Sequence, residues 1–313
     1  MNDPHSTYVT PPFAGIATFG RQLHTQDLKG VDVAIVGVPY DSATSYRSGT
    51  RFGPRAIREQ SLLLWGYNNA LQVAPFEKLK VIDYGDVDVV PVDILETFAA
   101  VEREIDALLI AGCRVITLGG DHSIALPLLR AHRRKYGPLA VAHFDAHPDT
   151  WDEEFPGRKF SHGTPFRRAI EEDLIDTDAY IQIGIRGSTP SAHDYGDARR
   201  LGARMVTLDE ALTLGTDGVL AEIRRRVGQR PLYLSFDIDV VDPAFAPGTG
   251  TPEVGGFTSV QILQLVRGLV GLNLIGADLV EVSPPFDAQG ITAILAANLA
   301  FEFLSLMAKH KSA

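Results

Sequence analysis

Cysteine is almost absent from this chain: Cys113 is the only one in 313 residues. A single thiol excludes an intrachain disulfide framework and any cysteine-rich zinc site. Its place just before a β-rich run reads as that of a small buried hydrophobe. Positive charge is also scarce. The 29 Lys and Arg against 39 Asp and Glu leave a net charge of -10, whereas nucleic acid or an anionic membrane as a general partner calls for a basic face. No uninterrupted apolar run reaches membrane length. The N-terminus, Met1-Asn2-Asp3-Pro4-His5, lacks the basic-then-apolar pattern of a signal peptide, so the expected location is the cytoplasm. Repeats, low-complexity tracts and linkers are missing too, which points to one domain. What is present is an ordinary globular composition, 45% hydrophobic and 22% charged, with chain enough for one large α/β core.

Residues 1 to about 30 show no periodicity, and Pro11, Pro12 and Gly15 point to an extended arm lying across a neighbouring subunit. The expected layout is that arm over 1–30 and a single domain over 31–313. Val31 to Val36 reads as the first strand, buried on both faces. The Arg- and Gly-rich loop from Ser45 to Pro54 then feeds a helix near Arg55, with Pro54 suited to its first turn. Further strands are expected over 79–86, 114–118, up to Phe144, 180–185, 232–236 and 274–282. Helices are expected over 94–111, 123–135, 219–227, 259–270 and 291–307. The β-α-β alternation implies a parallel sheet covered on both faces.

Three of those strands end in chemistry. Val141-Ala142-His143-Phe144 runs into Asp145-Ala146-His147-Pro148-Asp149. If the chain stays extended, Asp145, His147 and Asp149 share one face. That segment alone fits a solvated loop mouth, or a His satisfied by a neighbouring Asp, as well as it fits a metal site. However, Arg114 to Leu118 ends in Gly119-Gly120-Asp121-His122-Ser123, and Leu232 to Phe236 ends in Asp237-Ile238-Asp239. All three clusters follow the C-terminal ends of apolar strands, the edge at which open parallel sheets build their sites. Together they favour metal. His122, Asp145, His147, Asp149, Asp237 and Asp239 are too many ligands for one zinc, and their four carboxylates balance two dications. An oxygen-rich set with some imidazole favours Mn²⁺, and Ni²⁺, Co²⁺ or Zn²⁺ also fit. Two ions roughly 3.5–4 Å apart lower the pKa of a shared water toward ~7, which makes metal-assisted hydrolysis the chemistry to expect.

Gly119-Gly120-Asp121-His122, Asp145-Ala146-His147-Pro148-Asp149 and Ser235-Phe236-Asp237-Ile238-Asp239 resemble the three signatures of the ureohydrolase (arginase and agmatinase) family. The stretch from Asp242 to Gly250 looks most like its agmatinase branch. The resemblance runs from about Gly37 to the C-terminus. It implies an arginase-like three-layer α/β/α sandwich with a mainly parallel sheet, two Mn²⁺ per chain, and a homo-oligomer, trimer or hexamer. It also implies that one ion takes His122, Asp145, Asp149 and Asp237 and the other His147, Asp145, Asp237 and Asp239, with Asp145 and Asp237 bridging. Asp149 would in addition accept a hydrogen bond from the nucleophile. Glu281 falls at the family's guanidinium-binding position, where a carboxylate matches the donor fork of that planar cation. His162, in Ser161-His162-Gly163-Thr164, resembles its proton shuttle. Arg47 and Arg51 read as loop clamps and His143 as a satisfied core histidine.

The implied reaction is cleavage of a guanidino compound to urea and an amine. Arginases carry Asn two residues beyond the last Asp of the central motif; here Trp151 stands there, which argues against arginine. Trp151 would stack on a cationic tail, as in agmatine, or narrow the cleft, and Phe160 would add an apolar wall. Arg158 and Lys159 would instead suit the carboxylate of guanidinobutyrate or guanidinopropionate. An agmatinase-like activity is the first expectation, with a guanidino-acid or substituted-guanidine hydrolase as the alternative. A single-zinc deacetylase needs fewer acids than are present, and a non-catalytic subunit would not need His162 and Glu281.

Overall fold

The computed structural model describes residues 11–311. Its framework is eight strands: β1 (Val33–Gly37), β2 (Val81–Asp86), β3 (Arg114–Leu118), β4 (Leu139–Phe144), β5 (Ile175–Ile185), β6 (Arg204–Thr207), β7 (Leu232–Asp237) and β8 (Leu274–Val280). They form one sheet in the order β2-β1-β3-β8-β7-β4-β5-β6, and every pairing in it is parallel. Successive side chains leave a strand on opposite faces, and both faces here are covered. Val33 and Ile35 of β1 face one core and Ala34 and Val36 face the other. That double burial explains why these strands read as continuous apolar runs rather than alternating ones.

The helices are α1 (Gly53–Ser61), α2 (Pro75–Lys78), α3 (Ile94–Ile110), α4 (Ala125–Tyr136), α5 (Pro165–Glu171), α6 (Asp194–Arg200), α7 (Leu208–Val227, broken at Gly215), α8 (Ser259–Arg267) and α9 (Ile291–Lys311). Apolar residues of α1, α7, α8 and α9 pack on one face of the sheet, and those of α3, α4 and α5 on the other. The result is the expected three-layer α/β/α sandwich. The sequence marks several helix starts. Pro54 lies in the first turn of α1, the Asp93 side chain accepts from the Leu95 and Glu96 N–H groups ahead of α3, and Thr258 and Gln261 form a reciprocal capping box on α8.

Three expectations need correcting, and four short elements were not anticipated. The strand expected over 180–185 begins at Ile175, because its first residues sit at a half-exposed edge and break the apolar run. The edge strand β6 and the short helices α2, α5 and α6 carry too few residues to show a period. α7 starts at Leu208, its helical pattern interrupted by Gly215. Finally, Ile291–His310 is long and apolar enough to cross a membrane, with a mean hydropathy of 1.8, but 83% of it is buried inside the fold as a core helix.

Residues 1–10 of the expected arm lie outside the described residues. From Phe19 onward the rest of that stretch is fastened to the domain. Phe19 is buried and its N–H donates to Asp83 Oδ2 (2.8 Å), and Asp83 itself is gripped by Arg58 through two hydrogen bonds of 2.8 and 3.0 Å. Arg51 is likewise a clamp: its guanidinium pairs with the buried carboxylate of Asp41, which also accepts the Gly49 N–H (2.7 Å).

Candidate active site

Four adjacent strands, β3, β8, β7 and β4, end side by side at the middle of the sheet, where the last two strands, β8 and β7, are inserted between β3 and β4 and the chain order reverses. Such a switch point opens a crevice outside the carboxyl ends of parallel strands. The residues at or just after those ends are His122, Glu281, Asp237 with Asp239, and Asp145 to Asp149. All but half-exposed His147 are buried.

β4 stops at Phe144, so the extended run assumed for 145–149 does not form. The chain turns, and Asp149 takes a left-handed backbone (φ 46), an uncommon state for a non-glycine residue that the surroundings must hold in place. The three side chains nonetheless converge. His122 Nδ1 lies 3.1 Å from Asp145 Oδ2, 3.0 Å from Asp149 Oδ2 and 3.3 Å from Asp237 Oδ2. His147 Nδ1 lies 3.0 Å from Asp239 Oδ2 and 3.5 Å from Asp145 Oδ1. Asp145 therefore turns one oxygen to each imidazole. The remaining oxygens are spent locally: Asp237 Oδ1 accepts the Asp239 N–H (2.8 Å) and Asp239 Oδ1 the Ala146 N–H (3.0 Å).

This geometry fits divalent cations. His122 Nδ1 is fully buried and has no hydrogen-bond partner among the described residues despite three carboxylate oxygens around it, the surroundings a cation completes. Without positive charge the acids cannot all ionise. Burial, then repulsion from Asp145, pushes Asp149 up to about 7. Burial and Asp239 push Asp237 well above the carboxylate range, and burial raises Asp239 as well. Asp145 goes the other way: burial would raise it, but the imidazoles of His143, His122 and His147 outweigh that and hold it low. A pair of dications supports all four charges at once.

Beneath the cluster lies a polar layer. His122 Nε2 is 2.9 Å from Ser235 Oγ, whose hydroxyl donates to Asp278 Oδ1 (2.7 Å), while the Tyr233 hydroxyl donates to Asp278 Oδ2 (2.8 Å). This chain places the His122 proton on Nε2 and turns the Nδ1 lone pair toward the acids. Strand register sets it up, since Ser235 pairs with Asp278 across β7 and β8. Asp278→Asn is expected to weaken metal affinity roughly 10- to 100-fold with little change in kcat at saturating metal. Titration of the purified protein with Mn²⁺ checks this, and unchanged affinity would remove Asp278 from the support of His122. His143 belongs to the same layer. Its Nε2 contacts Asp145 Oδ2 at 2.7 Å and its ring stacks on Phe166 at 3.9 Å. Burial lowers its pKa to about 4, so it is a neutral support for Asp145.

Glu281 follows β8 in a left-handed conformation (φ 63). Its Oε1 accepts the His122 backbone N–H (3.0 Å) and faces His162 Nδ1 (2.9 Å). Its Oε2 is buried with no partner among the described residues. A Cβ at Gly250 would come within 3.5 Å of that oxygen, so bare backbone leaves space beside it. His162 Nε2 meets the Ser45 N–H (3.0 Å) and hydroxyl (2.7 Å). Burial resists charging this ring, yet Glu281 outweighs it and carries the pKa up to about 10. The Ser45 N–H aimed at Nε2 favours a lone pair there, so Ser45 and Glu281 act on the ring's charge in opposite directions.

A cleft of about 190 Å³ leads to the cluster, lined among others by Ser45, His147, Asp149, Trp151, Glu154 and His162. Trp151 forms its wall, the indole N–H donating to Asp194 Oδ2 (3.1 Å). Phe160 is a correction: its ring packs edge-on against Phe98, with centroids 5.7 Å apart, in the core beside α3 rather than in the cleft. Arg158 and Lys159 are exposed, and Lys159 pairs with Asp152 (2.7 Å). Sequence reasoning missed Ser45, Glu154, Ser235 and Asp278. The last two carry a signal, as polar residues inside otherwise apolar strands; Ser45 and Glu154 sit in polar loops and carry none.

The arginase-family sequence profile matches residues 31–305. A guanidinobutyrase of Pseudomonas aeruginosa is 50% identical over 310 residues, covering 98% of this chain and 97% of that protein. A guanidinopropionase of the same organism is 49% identical over 299 residues, covering 96% and 94%. The structure of proclavaminate amidinohydrolase from Streptomyces clavuligerus superposes with a TM-score of 0.92 at 45% identity, over 96% of this chain and 100% of that one. With a sheet, a candidate metal-ligating cluster and near full-length similarity all in agreement, this chain belongs to the arginase family.

Proposed function

We propose that this chain cleaves a guanidino compound to urea and an amine, with the unpartnered Glu281 Oε2 as the seat of the guanidinium. A buried carboxylate oxygen without a donor is costly, and the parallel N–H groups of a guanidinium supply what is missing. His122, Asp145, Asp149 and Asp237 would hold one divalent cation and His147, Asp145, Asp237 and Asp239 a second, Asp145 and Asp237 being shared. Mn²⁺ is the ion that so oxygen-rich a set favours. When bound, such a pair supplies the Lewis acidity that makes water nucleophilic at neutral pH.

The protein's own groups do the rest. Glu281 orients the guanidinium carbon toward the acid cluster. Asp149, on the cleft side, accepts a hydrogen bond from the attacking water. His162 stands between Glu281 and the cleft and delivers a proton to the departing amine. A guanidinium against Glu281 weakens that carboxylate's pull on His162, which brings the ring back from about 10 toward the range in which a histidine exchanges protons.

An agmatine-like substrate is the first reading, supported by the Trp151 wall and by a cleft with no Lys or Arg among its described lining residues. A guanidino-acid substrate is the second, supported by the names of the relatives that are 50% and 49% identical. The reading extends to a cytoplasmic homo-oligomer, trimer or hexamer, as the family resemblance implies. The test is a urea-release screen with Mn²⁺ and Ni²⁺ across agmatine, arginine, guanidinobutyrate, guanidinopropionate, guanidinoacetate and substituted biguanides. Urea is expected from at least one of them and not from arginine. Silence from all, in protein carrying its metals, would contradict the proposal.

A further inference from the structure

We infer that Glu154 sets the specificity of the cleft: its carboxylate receives a cationic or N–H-donating group on the substrate's tail and turns carboxylate-ended tails away. The inference rests on the guanidine-hydrolysis reading above and deepens it. Glu154 lines the cleft with a side chain only 15% exposed. Its Oε2 is fixed by the Gly163 N–H (2.9 Å) and by the Ser161 hydroxyl. Among the described residues, Oε1 receives no hydrogen bond. It stands 3.8 Å from His162 Nε2, while the other nitrogen of that ring touches Glu281. One imidazole and its two contacts therefore separate the guanidinium seat from a second, underused carboxylate oxygen. That is the spacing of a short molecule with donors at both ends.

The surroundings are arranged for that second acid. A Cβ at Gly163 would lie 2.6 Å from Glu154 Cδ and 2.7 Å from Trp151 Cε3, so the carboxylate and the indole press on the same bare stretch of backbone. An acid beside an aromatic wall is a site for a cation. Several cations of the surrounding loops are engaged elsewhere, and Arg158 is exposed and not among the cleft's described lining residues. The Arg186 guanidinium donates to backbone carbonyls of Asp239 and Glu253 (2.7 Å each). Lys159 and Arg168 both bind Asp152 (2.7 Å each), and Arg51 binds Asp41. Arg47 lies over the Phe286 and Tyr46 rings at 4.8 and 5.1 Å. A carboxylate tail in the cleft would thus meet a like charge, with no Lys or Arg among the described lining residues.

The experiment compares agmatine with 4-guanidinobutyrate, similar chains ending in an amine and a carboxylate, in the metal-loaded wild type and in Glu154→Gln, with metal content and Tm measured alongside. The wild type is expected to favour agmatine at least tenfold in kcat/KM. Glu154→Gln, which keeps an acceptor for Gly163 and Ser161, is expected to lower that ratio roughly 10- to 100-fold, mainly through the KM for agmatine. A wild type that prefers 4-guanidinobutyrate overturns the inference while leaving guanidine hydrolysis intact. So does a ratio unmoved in Glu154→Gln, or one that moves only through kcat. No urea from either compound, in protein with its metals bound, overturns the hydrolase reading and this inference with it. If Glu154→Gln does not fold, the wild-type ratio alone decides.

Discussion

Asp145→Ala is expected to remove metal and urea release together, with the rate falling at least about 10³-fold, since Lewis acidity contributes several kcal/mol and each ~1.4 kcal/mol is a factor of ten. Asp145 is the one acid with an oxygen on each imidazole, 3.1 Å from His122 and 3.5 Å from His147, so its loss strips both halves of the cluster. Asp237→Ala is expected to do the same. These losses are not losses of fold. In the metal-free protein ionisation of three of these acids opposes folding, because Asp149, Asp237 and Asp239 are all harder to ionise than in the unfolded chain. The sign follows from linkage. A carboxyl raised from 3.8 to about 7, as Asp149 is, contributes stability that is complete below its unfolded pKa and is lost as pH rises through 7. The chelated wild type should therefore melt lower at pH 8 than at pH 5.5, and added Mn²⁺ should reverse the trend. Thermal melts with and without chelator, beside metal analysis of both variants, check this. Full activity in metal-depleted Asp145→Ala would refute the shared-ligand assignment.

Glu281→Ala is expected to leave both metals bound and to lower kcat/KM for the preferred guanidine by about 10²- to 10⁴-fold, the range for removing one partner of a desolvated charge pair. Glu281 contacts the cluster only through the His122 backbone N–H, at 3.0 Å, so the imidazole and carboxylates keep their positions. Glu281→Gln should lose nearly as much, because an amide places a donor where the guanidinium needs an acceptor. The pH profile carries a further signature. Glu281 is the main group raising His162, so without it burial prevails and the ring's protonation should fall to lower pH. Metal analysis and the pH dependence of residual turnover test both points. Metal lost along with activity would mean that Glu281 supports the cluster rather than the substrate.

The fold was legible in the sequence where strands are buried on both faces. β1, β3, β4 and β7 are short runs of apolar, largely β-branched or aromatic residues bounded by Gly or Asp, and their ends fall within a residue or two of those expected. The parallel sheet followed from the helices between them. Edge elements were not legible, because β6 has four residues and half-exposed neighbours, too little to set a period. The cluster was legible through chemistry rather than geometry: acids repeated after three strand ends need a common counter-charge. The extended run that appeared to align Asp145, His147 and Asp149 does not exist; a turn with Asp149 at φ 46 brings them together instead. Phe160 shows the opposite failure. Adjacency to Ser161-His162 looked like a cleft wall, but a loop side chain's direction is set by what it packs on, and Phe98 offered the larger apolar contact. Glu154 was invisible for the same reason, since nothing in a polar loop says which acid turns inward.

The proposed chemistry requires a pair of cations standing among buried acids. Elemental analysis of protein purified with Mn²⁺, followed step by step against urea release during chelation, tests that most directly. Two ions per chain are expected, with activity lost as they are removed and regained when Mn²⁺ returns. One ion per chain at full activity, or turnover that survives complete removal, would contradict it.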